Sequence, residues 1–385
     1  MTAIVVVAYN RANSLKRILK FISKGFYPEG NIPLIISIDK GNNNDVIKIA
    51  NDFEWTHGDK QVICHEVNLG LRAHIIECAS RSREYGSVII LEDDLLVSPN
   101  FYNYVQAALA YSEDKDYIGG ISLYNHQYNV HTSDPFWPVE DGYDNWYFQF
   151  ASSWGEAWSY KQWQRFYDWY VVNKDVPLES DNFPPYVAAW SSKSWLKYFI
   201  KYLIESDKYF LYPRISLTSN CSDKGEHAIG GDNTAFQIPL LYANKKAYEF
   251  SSLQSSKAVY DAFYENMRVA EELEHAPVTV DLYGYKPVCK TRYLLTSKLL
   301  NYKIVDSFSC SMRPHEMNVL ERMPGNDLFL YDTEQSEKNP VNSKAHHKRK
   351  LRYKFKIVKR EQAISIMENQ IGEDIKKLMR IRKRK

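Results

Sequence analysis

The sequence offers its thiols no pattern for pairing. Its five cysteines, Cys64, Cys78, Cys221, Cys289 and Cys310, are odd in number, widely spaced and free of any Cys-x-x-Cys pair. That excludes a disulfide framework and a cysteine-ligated zinc site, and it fits reduced thiols in a reducing compartment. No apolar run approaches the ~20 residues that a membrane span needs. Residues 1–7 are too short and too uncharged for a secretory leader, so the expected location is the cytoplasm. Neither Gly-x-x-x-x-Gly-Lys-Ser/Thr nor Gly-x-Gly-x-x-Gly occurs, which argues against P-loop and dinucleotide-binding enzymes.

What is present points elsewhere. A chain of 385 residues accommodates one large catalytic domain with appendages. Aromatic residues make up 14% of it, 29 Tyr and 9 Trp among them, an abundance that suits surfaces stacking on sugar rings or nucleobases and equally suits a Tyr-rich core or interface. Net charge is polarised. Residues 344–385 hold 16 Lys and Arg against 4 Asp and Glu, a net of +12, so an overall +2 leaves −10 on the first 343 residues.

The organising stretch is Ser87-Val88-Ile89-Ile90-Leu91-Glu92-Asp93-Asp94-Leu95-Leu96-Val97-Ser98-Pro99-Asn100-Phe101. Its apolar run reads as a strand buried on both faces that ends in three carboxylates, which repel one another unless a cation or open water lies among them. Oxygen ligands of this kind suit Mg²⁺ or Mn²⁺. Residues 3–9 form a second buried strand that ends near Arg11, with Asn13-Ser14 as cap of the following helix. Residues 32–39 repeat the design and end in Asp39. Strands alternating with helices imply a parallel sheet, with Arg11, Asp39 and the acidic triplet all at its carboxyl edge, where such sheets bind ligands.

The order of these motifs resembles glycosyltransferases of the GT-A fold, in particular the family of the Golgi N-acetylglucosaminyltransferase that begins complex N-glycan branching, and related bacterial polysaccharide transferases. Four segments carry the likeness: Tyr9-Asn10-Arg11, Ile35-Ile36-Ser37-Ile38-Asp39-Lys40-Gly41, Asn68-Leu69-Gly70, and the triplet followed by its Ser-Pro-x-Phe helix start. The resemblance implies an α/β, Rossmann-like fold with a mostly parallel sheet and flanking helices. It implies that Tyr9, Arg11 and Asp39 contact a nucleotide-sugar donor, with Asp39 near the base. Asp94 would ligate the metal, while Glu92 and Asp93 would hold the ribose or the metal's waters.

Beyond residue 125 an aromatic belt interleaved with Asn125, His126, Asp141 and Asp144 reads as either an acceptor platform or an aromatic core. Ser153-Trp154-Gly155-Glu156 is similar to the Trp-Gly loop of bacterial family members and makes Glu156 the first choice for general base, with Asp181 second. By the same resemblance, the Golgi enzyme's Trp-Asp segment is matched here by Trp190-Ser191, a departure from the family, since serine is no base unaided. His227 follows in a segment that in such enzymes completes the metal shell. Residues 258–275 read as an amphipathic helix, 283–309 as further strands and 310–345 as loops.

The domain expectation is therefore 1–240 catalytic (1–125 nucleotide-sugar half, 126–240 acceptor half), 241–343 extension and 344–385 a basic helical tail. That tail, on an acidic body, suggests docking to an anionic membrane surface where lipid-linked saccharide acceptors would lie; an intermolecular helix pair and a solvated tail are the alternatives, and no nucleic-acid signature is present. The functional expectation is a metal-dependent, inverting transfer from a uridine-linked sugar to a glycan hydroxyl. A non-catalytic nucleotide-sugar or glycan-binding module with a degenerate site is the alternative.

Overall fold

The computed structural model describes residues 1–178, 182–221, 223, 234–275, 277–287, 289, 291–355 and 359–382. Strands β1 (Thr2–Ala8), β2 (Leu34–Ile38), β3 (Lys60–Cys64) and β4 (Ser87–Glu92) alternate with helices α1 (Ala12–Ile22), α2 (Asn44–Asp52), α3 (Leu71–Ser80) and the single turn α4 (Ser82–Tyr85). The four strands pair in parallel in the order β3-β2-β1-β4. β1 shows why they are continuously apolar: Ala3, Val5 and Val7 enter one core layer, while Ile4, Val6 and Ala8 enter the other.

The chain continues through β5 (Leu95–Val97), α5 (Phe101–Ser112), β6 (Ile118–Ser122) and a small hairpin of β7 (Tyr128–Asn129) and β8 (Asp134–Pro135). There follow β9 (Asn145–Phe148), β10 (Glu156–Ser159), α6 (Tyr160–Asn173), α7 (Pro185–Ala188), α8 (Leu196–Glu205), β11 (Tyr209–Pro213), β12 (Thr218–Asn220) and β13 (Val259–Tyr260). Among the described residues these complete a nine-stranded sheet, β13-β9-β11-β6-β10-β4-β1-β2-β3. Most pairings are parallel; β10 runs antiparallel to both β4 and β6, and β9 to β11. The Rossmann-like α/β architecture implied by the sequence is the one observed.

A second sheet, β14-β15-β17-β16, is built from β14 (Val278–Asp281), β15 (Tyr293–Thr296), β16 (Tyr302–Phe308) and β17 (Leu328–Ser336), with the short α9 (Met317–Leu320) beside it. The tail follows as α10 (Ser343–Phe355) and α11 (Arg360–Arg382).

Three expectations need correction. Residues 258–275 are no amphipathic helix: Asp261 accepts from the backbone N–H groups of Phe263 and Glu265, Tyr264 is left-handed at φ 68, and a 3-10 turn over Met267–Ala270 is all that remains. The stretch 310–345 is not merely loop, since β17 lies at the centre of the second sheet between β15 and β16. Helix α1 starts at Ala12 with Arg11 as its N-cap and no side-chain cap, so Ser14 is free for another partner.

Candidate active site

β1 and β4 are neighbours whose onward connections leave in opposite directions across the sheet, since β1 leads to β2 on one side and β4 leads through α5 to β6 on the other. A crevice opens at the carboxyl ends of strands at such a point. The two strands register Val7 against Glu92, which brings the chain after β1 alongside the chain after β4. Arg11 spans the gap. One guanidinium nitrogen donates to Asp94 at 3.0 Å and another to Asp93. Burial opposes the charge on Arg11, yet the two aspartates outweigh it and raise its pKa. Asp93 is 2% exposed, and its second carboxylate oxygen is buried without a partner. Burial pushes Asp93 up to about 6 against the pull of Arg11, and burial together with Asp94 pushes Glu92 up to about 8.

Asp39, also buried, does something different. One oxygen accepts from the backbone N–H of Leu69 at 2.8 Å and of Lys40 at 2.8 Å, and the other from Gly70 at 2.9 Å. The carboxylate thus holds the Asn68-Leu69-Gly70 turn at the N-terminus of α3, where the helix dipole favours negative charge. Gly70 takes φ 74 there, a conformation that costs glycine little. Beside it, Asn10 accepts from the backbone N–H of Asn42 at 3.0 Å and so joins the loops that follow β1 and β2. Tyr9 lies half-buried at the same edge.

Sequence reading missed a third set of contacts. Asp223, just past β12, accepts from the Ser14 hydroxyl at 2.6 Å and from both terminal nitrogens of Arg17. β12 pairs with β5 directly after the acidic triplet, and the Cys221 backbone N–H donates to the Asp94 carbonyl at 2.9 Å. Arg11, Arg17, Asp93, Asp94 and Asp223 therefore form one ionic group at the crevice. Nothing local in the sequence links positions 14 and 17 to 223; only the approach of β12 to β5 does so.

Glu156 heads β10, opposite Ile90 of β4 and Ser122 of β6. Since Glu92 lies two residues beyond Ile90, the two glutamates share a sheet face. Glu156 is 0% exposed, neither of its oxygens has a hydrogen-bonding partner, and burial followed by the charge of Glu92 raises its pKa well above the carboxylate range. In this conformation it is sealed from solvent, and burial favours its neutral form. That does not suit the expected base, which must be ionised and within reach of an acceptor hydroxyl. Gly155 just before it has φ 92, and a Cβ there would lie 2.7 Å from Thr218 Cγ2. Asp181 and His227 lie outside the described residues.

The aromatic belt is core more than platform. Tyr124, Phe136, Trp146, Tyr147, Phe148, Phe150, Trp158 and Trp163 are all buried. Asn125 receives the Trp146 indole N–H at 3.1 Å and donates to the Arg214 carbonyl at 2.6 Å. Asp141 pairs with Arg214 at 2.6 Å, and Asp144 with Lys245. Trp154 is partly open, as are Tyr128, Trp137 and Tyr143, and it packs on Tyr124 and Phe236 with ring centroids 4.6 Å away in each case.

Among the described residues no three His, Cys, Asp or Glu side chains are gathered as a ready metal site. The unpartnered Asp93 oxygen beside Asp94 still fits a divalent cation that takes most of its ligands from a bound diphosphate and water.

No curated protein matches the chain. Among solved structures it is similar to a mannosyltransferase, PcManGT from Pyrobaculum calidifontis in complex with GDP-Man and Mn2+ (13% identity, TM-score 0.31, 43% of this chain and 46% of that one). It is similar also to S. aureus TarS (14%, TM-score 0.33, 56% and 37%) and to TarS 1-349 in complex with UDP-GlcNAc (12%, TM-score 0.38, 60% and 61%). In each case the match spans less than two thirds of the other chain. The acidic edge, its arginine and the Asp39 clamp all fall within residues 1–137, and that segment matches the model of the GNT-I family.

Proposed function

We propose that this protein is a GT-A glycosyltransferase that moves a sugar from a nucleotide-sugar donor, uridine-linked, to a hydroxyl of a growing glycan, with inversion. The observation that carries the reading is the Arg11–Asp93–Asp94 group at the β1/β4 crevice, inside the segment that matches the GNT-I family. Asp94 and Asp93 would hold a divalent cation together with the donor's phosphates. When bound, that cation neutralises the charge that develops on the leaving diphosphate. Arg11 neutralises the aspartates in its absence and remains beside the phosphates as a second positive charge. Asp39 keeps the Asn68-Leu69-Gly70 turn in place beside the nucleotide half. With Glu156 sealed, Asp181 becomes the assigned acceptor base.

A second reading, a nucleotide-sugar or glycan-binding module without turnover, is favoured by one observation, the complete burial of Glu156 with neither oxygen partnered. The deciding experiment measures donor binding, hydrolysis and transfer over a panel of nucleotide sugars and acceptors, with and without Mn²⁺, in the wild type and in Asp94→Ala, Asp181→Asn and Glu156→Gln. The transferase reading expects Mn²⁺-dependent turnover that Asp94→Ala and Asp181→Asn abolish and Glu156→Gln retains. Metal-dependent binding without turnover on any acceptor selects the module, and no metal-dependent binding removes both.

A further inference from the structure

Helix α10 is divided lengthwise. One face is seated on the body: His346 is buried, Arg349 pairs with Asp327 at 2.6 Å, Lys350 donates to the Ser297 hydroxyl at 3.0 Å, and the Tyr353 hydroxyl donates to the Met312 carbonyl at 2.7 Å. At the far end Lys354 pairs with Asp134 and donates to the Thr132 carbonyl, each at 2.9 Å. Asp327 and Ser297 adjoin β17 and β15 of the second sheet, while Thr132 and Asp134 belong to the β7–β8 hairpin, so the helix is fastened to both parts of the fold. The other face is open. Lys344, His347, Lys348, Leu351, Arg352 and Phe355 are all exposed, Leu351 by 42% and Phe355 by 55%. Their spacing gathers them in a stripe about 140° wide, with Lys344, Leu351 and Phe355 along its middle, Lys348 and Arg352 on one side and His347 on the other.

α10 holds six Lys or Arg and no Asp or Glu. Three of the six, Arg349, Lys350 and Lys354, engage the body. The other three, Lys344, Lys348 and Arg352, stand on the open face. We propose that this face docks on the surface of an anionic lipid bilayer, with Leu351 and Phe355 entering between the headgroups and Lys344, Lys348 and Arg352 lying against their phosphates.

Charge selects this occupant. A second copy would set three cations against three, and a soluble polyanion would leave the two apolar side chains at the middle of the face in water. An anionic bilayer receives both kinds of group, cations at the headgroups and apolar side chains at the boundary with the acyl chains. Two such side chains make the contact shallow and reversible. The body fits the same arrangement, because residues 1–343 carry a net −10 and the bilayer that attracts α10 repels the rest of the chain. Since α10 is fastened at both ends, docking fixes the attitude of the body to the membrane. The contact belongs to α10 more than to α11, in which residues 360–375 set Arg360 alone against Glu361, Glu368, Glu373 and Asp374.

The test is flotation of the full chain with phosphatidylcholine vesicles, with and without an equal part of phosphatidylglycerol. The chain should float with the anionic vesicles only and leave them as salt is raised. The double variant Lys348→Glu/Arg352→Glu should lower its partition about a hundredfold and Leu351→Ser/Phe355→Ser about tenfold. Melting of the body should be unchanged in both, because these side chains face outward. Ile364→Ser/Ile371→Ser in α11 should float as the wild type does. Absence of flotation overturns the proposal, as does equal flotation with neutral vesicles. A loss in the α11 variant without one in the α10 variants overturns it by moving the contact to α11. Binding that Leu351→Ser/Phe355→Ser leaves at the wild-type level overturns it too, because that pattern belongs to a surface for soluble polyanions.

Discussion

The carboxyl edge of β1 and β4 and the interior beneath β10 hold carboxylates on the same sheet, and they treat them in opposite ways. At the edge Asp93 and Asp94 share one guanidinium, and Asp39 takes three backbone N–H groups. Inside, Glu156 has nothing. Charge survives burial where donors meet it, and elsewhere the group keeps its proton. The edge therefore keeps its carboxylates beside a cation, Arg11, whereas Glu156 is an unpartnered polar group enclosed between strands.

The sharpest way to break this contrast is Asp94→Ala, which should lower turnover about 10²–10³-fold in a saturating-donor assay while the fold stays intact. Arg11→Ala comes next. Removing the one cation from a 3% exposed Asp93 side chain should cost about 3 kcal/mol in metal-free urea unfolding, and added Mn²⁺ should restore part of the loss if cation and arginine serve the same carboxylates. Asp39→Asn turns an acceptor into a donor that faces an amide, and should cost about 1–3 kcal/mol. Faster hydrogen exchange at Leu69 and Gly70 would localise that loss.

Glu156→Gln should be the mildest, within about 1 kcal/mol at pH 5, because it replaces one neutral group by another. Its effect lies in the pH profile. Glu92 and Asp93 hold protons in the folded chain up to about 8 and about 6, against ordinary values of 4.5 and 3.8, and Glu156 shifts in the same direction. Folding then binds protons that the unfolded chain has released, so this contribution is complete below pH 3.8 and is lost as pH rises through about 8. Unfolding at a series of pH values should show that decline without metal, and a shallower one in Glu156→Gln.

The nucleotide half was legible because its signals are local. A buried strand of residues 87–92 that runs into Asp93 and Asp94 announces both the sheet and its edge, and Arg11 and Asp39 follow three residues and one residue past their own strands. Other features were illegible because they depend on distant partners. The spacing of residues 258–275 suits a helix, yet Asp261 and Asn266 spend their side chains on nearby N–H groups and stop one from forming. β17 has a readable composition, but its central place is fixed by pairing with β15 and β16. The burial of Glu156 was equally hidden, since a glutamate at the head of a strand reads as exposed until strands on both sides enclose it.

The Ser14–Asp223 hydrogen bond joins residues 209 positions apart. A chain emerging from the ribosome can assemble β1 to β4 early, from contacts between successive strands, but it cannot close the crevice until residue 223 and β12 have left the exit tunnel. The acidic edge is thus among the first parts of the protein to take shape and among the last to be finished, and a nascent chain arrested before residue 223 would carry Asp39, Asp93 and Asp94 without Asp223, in an open, unlatched form.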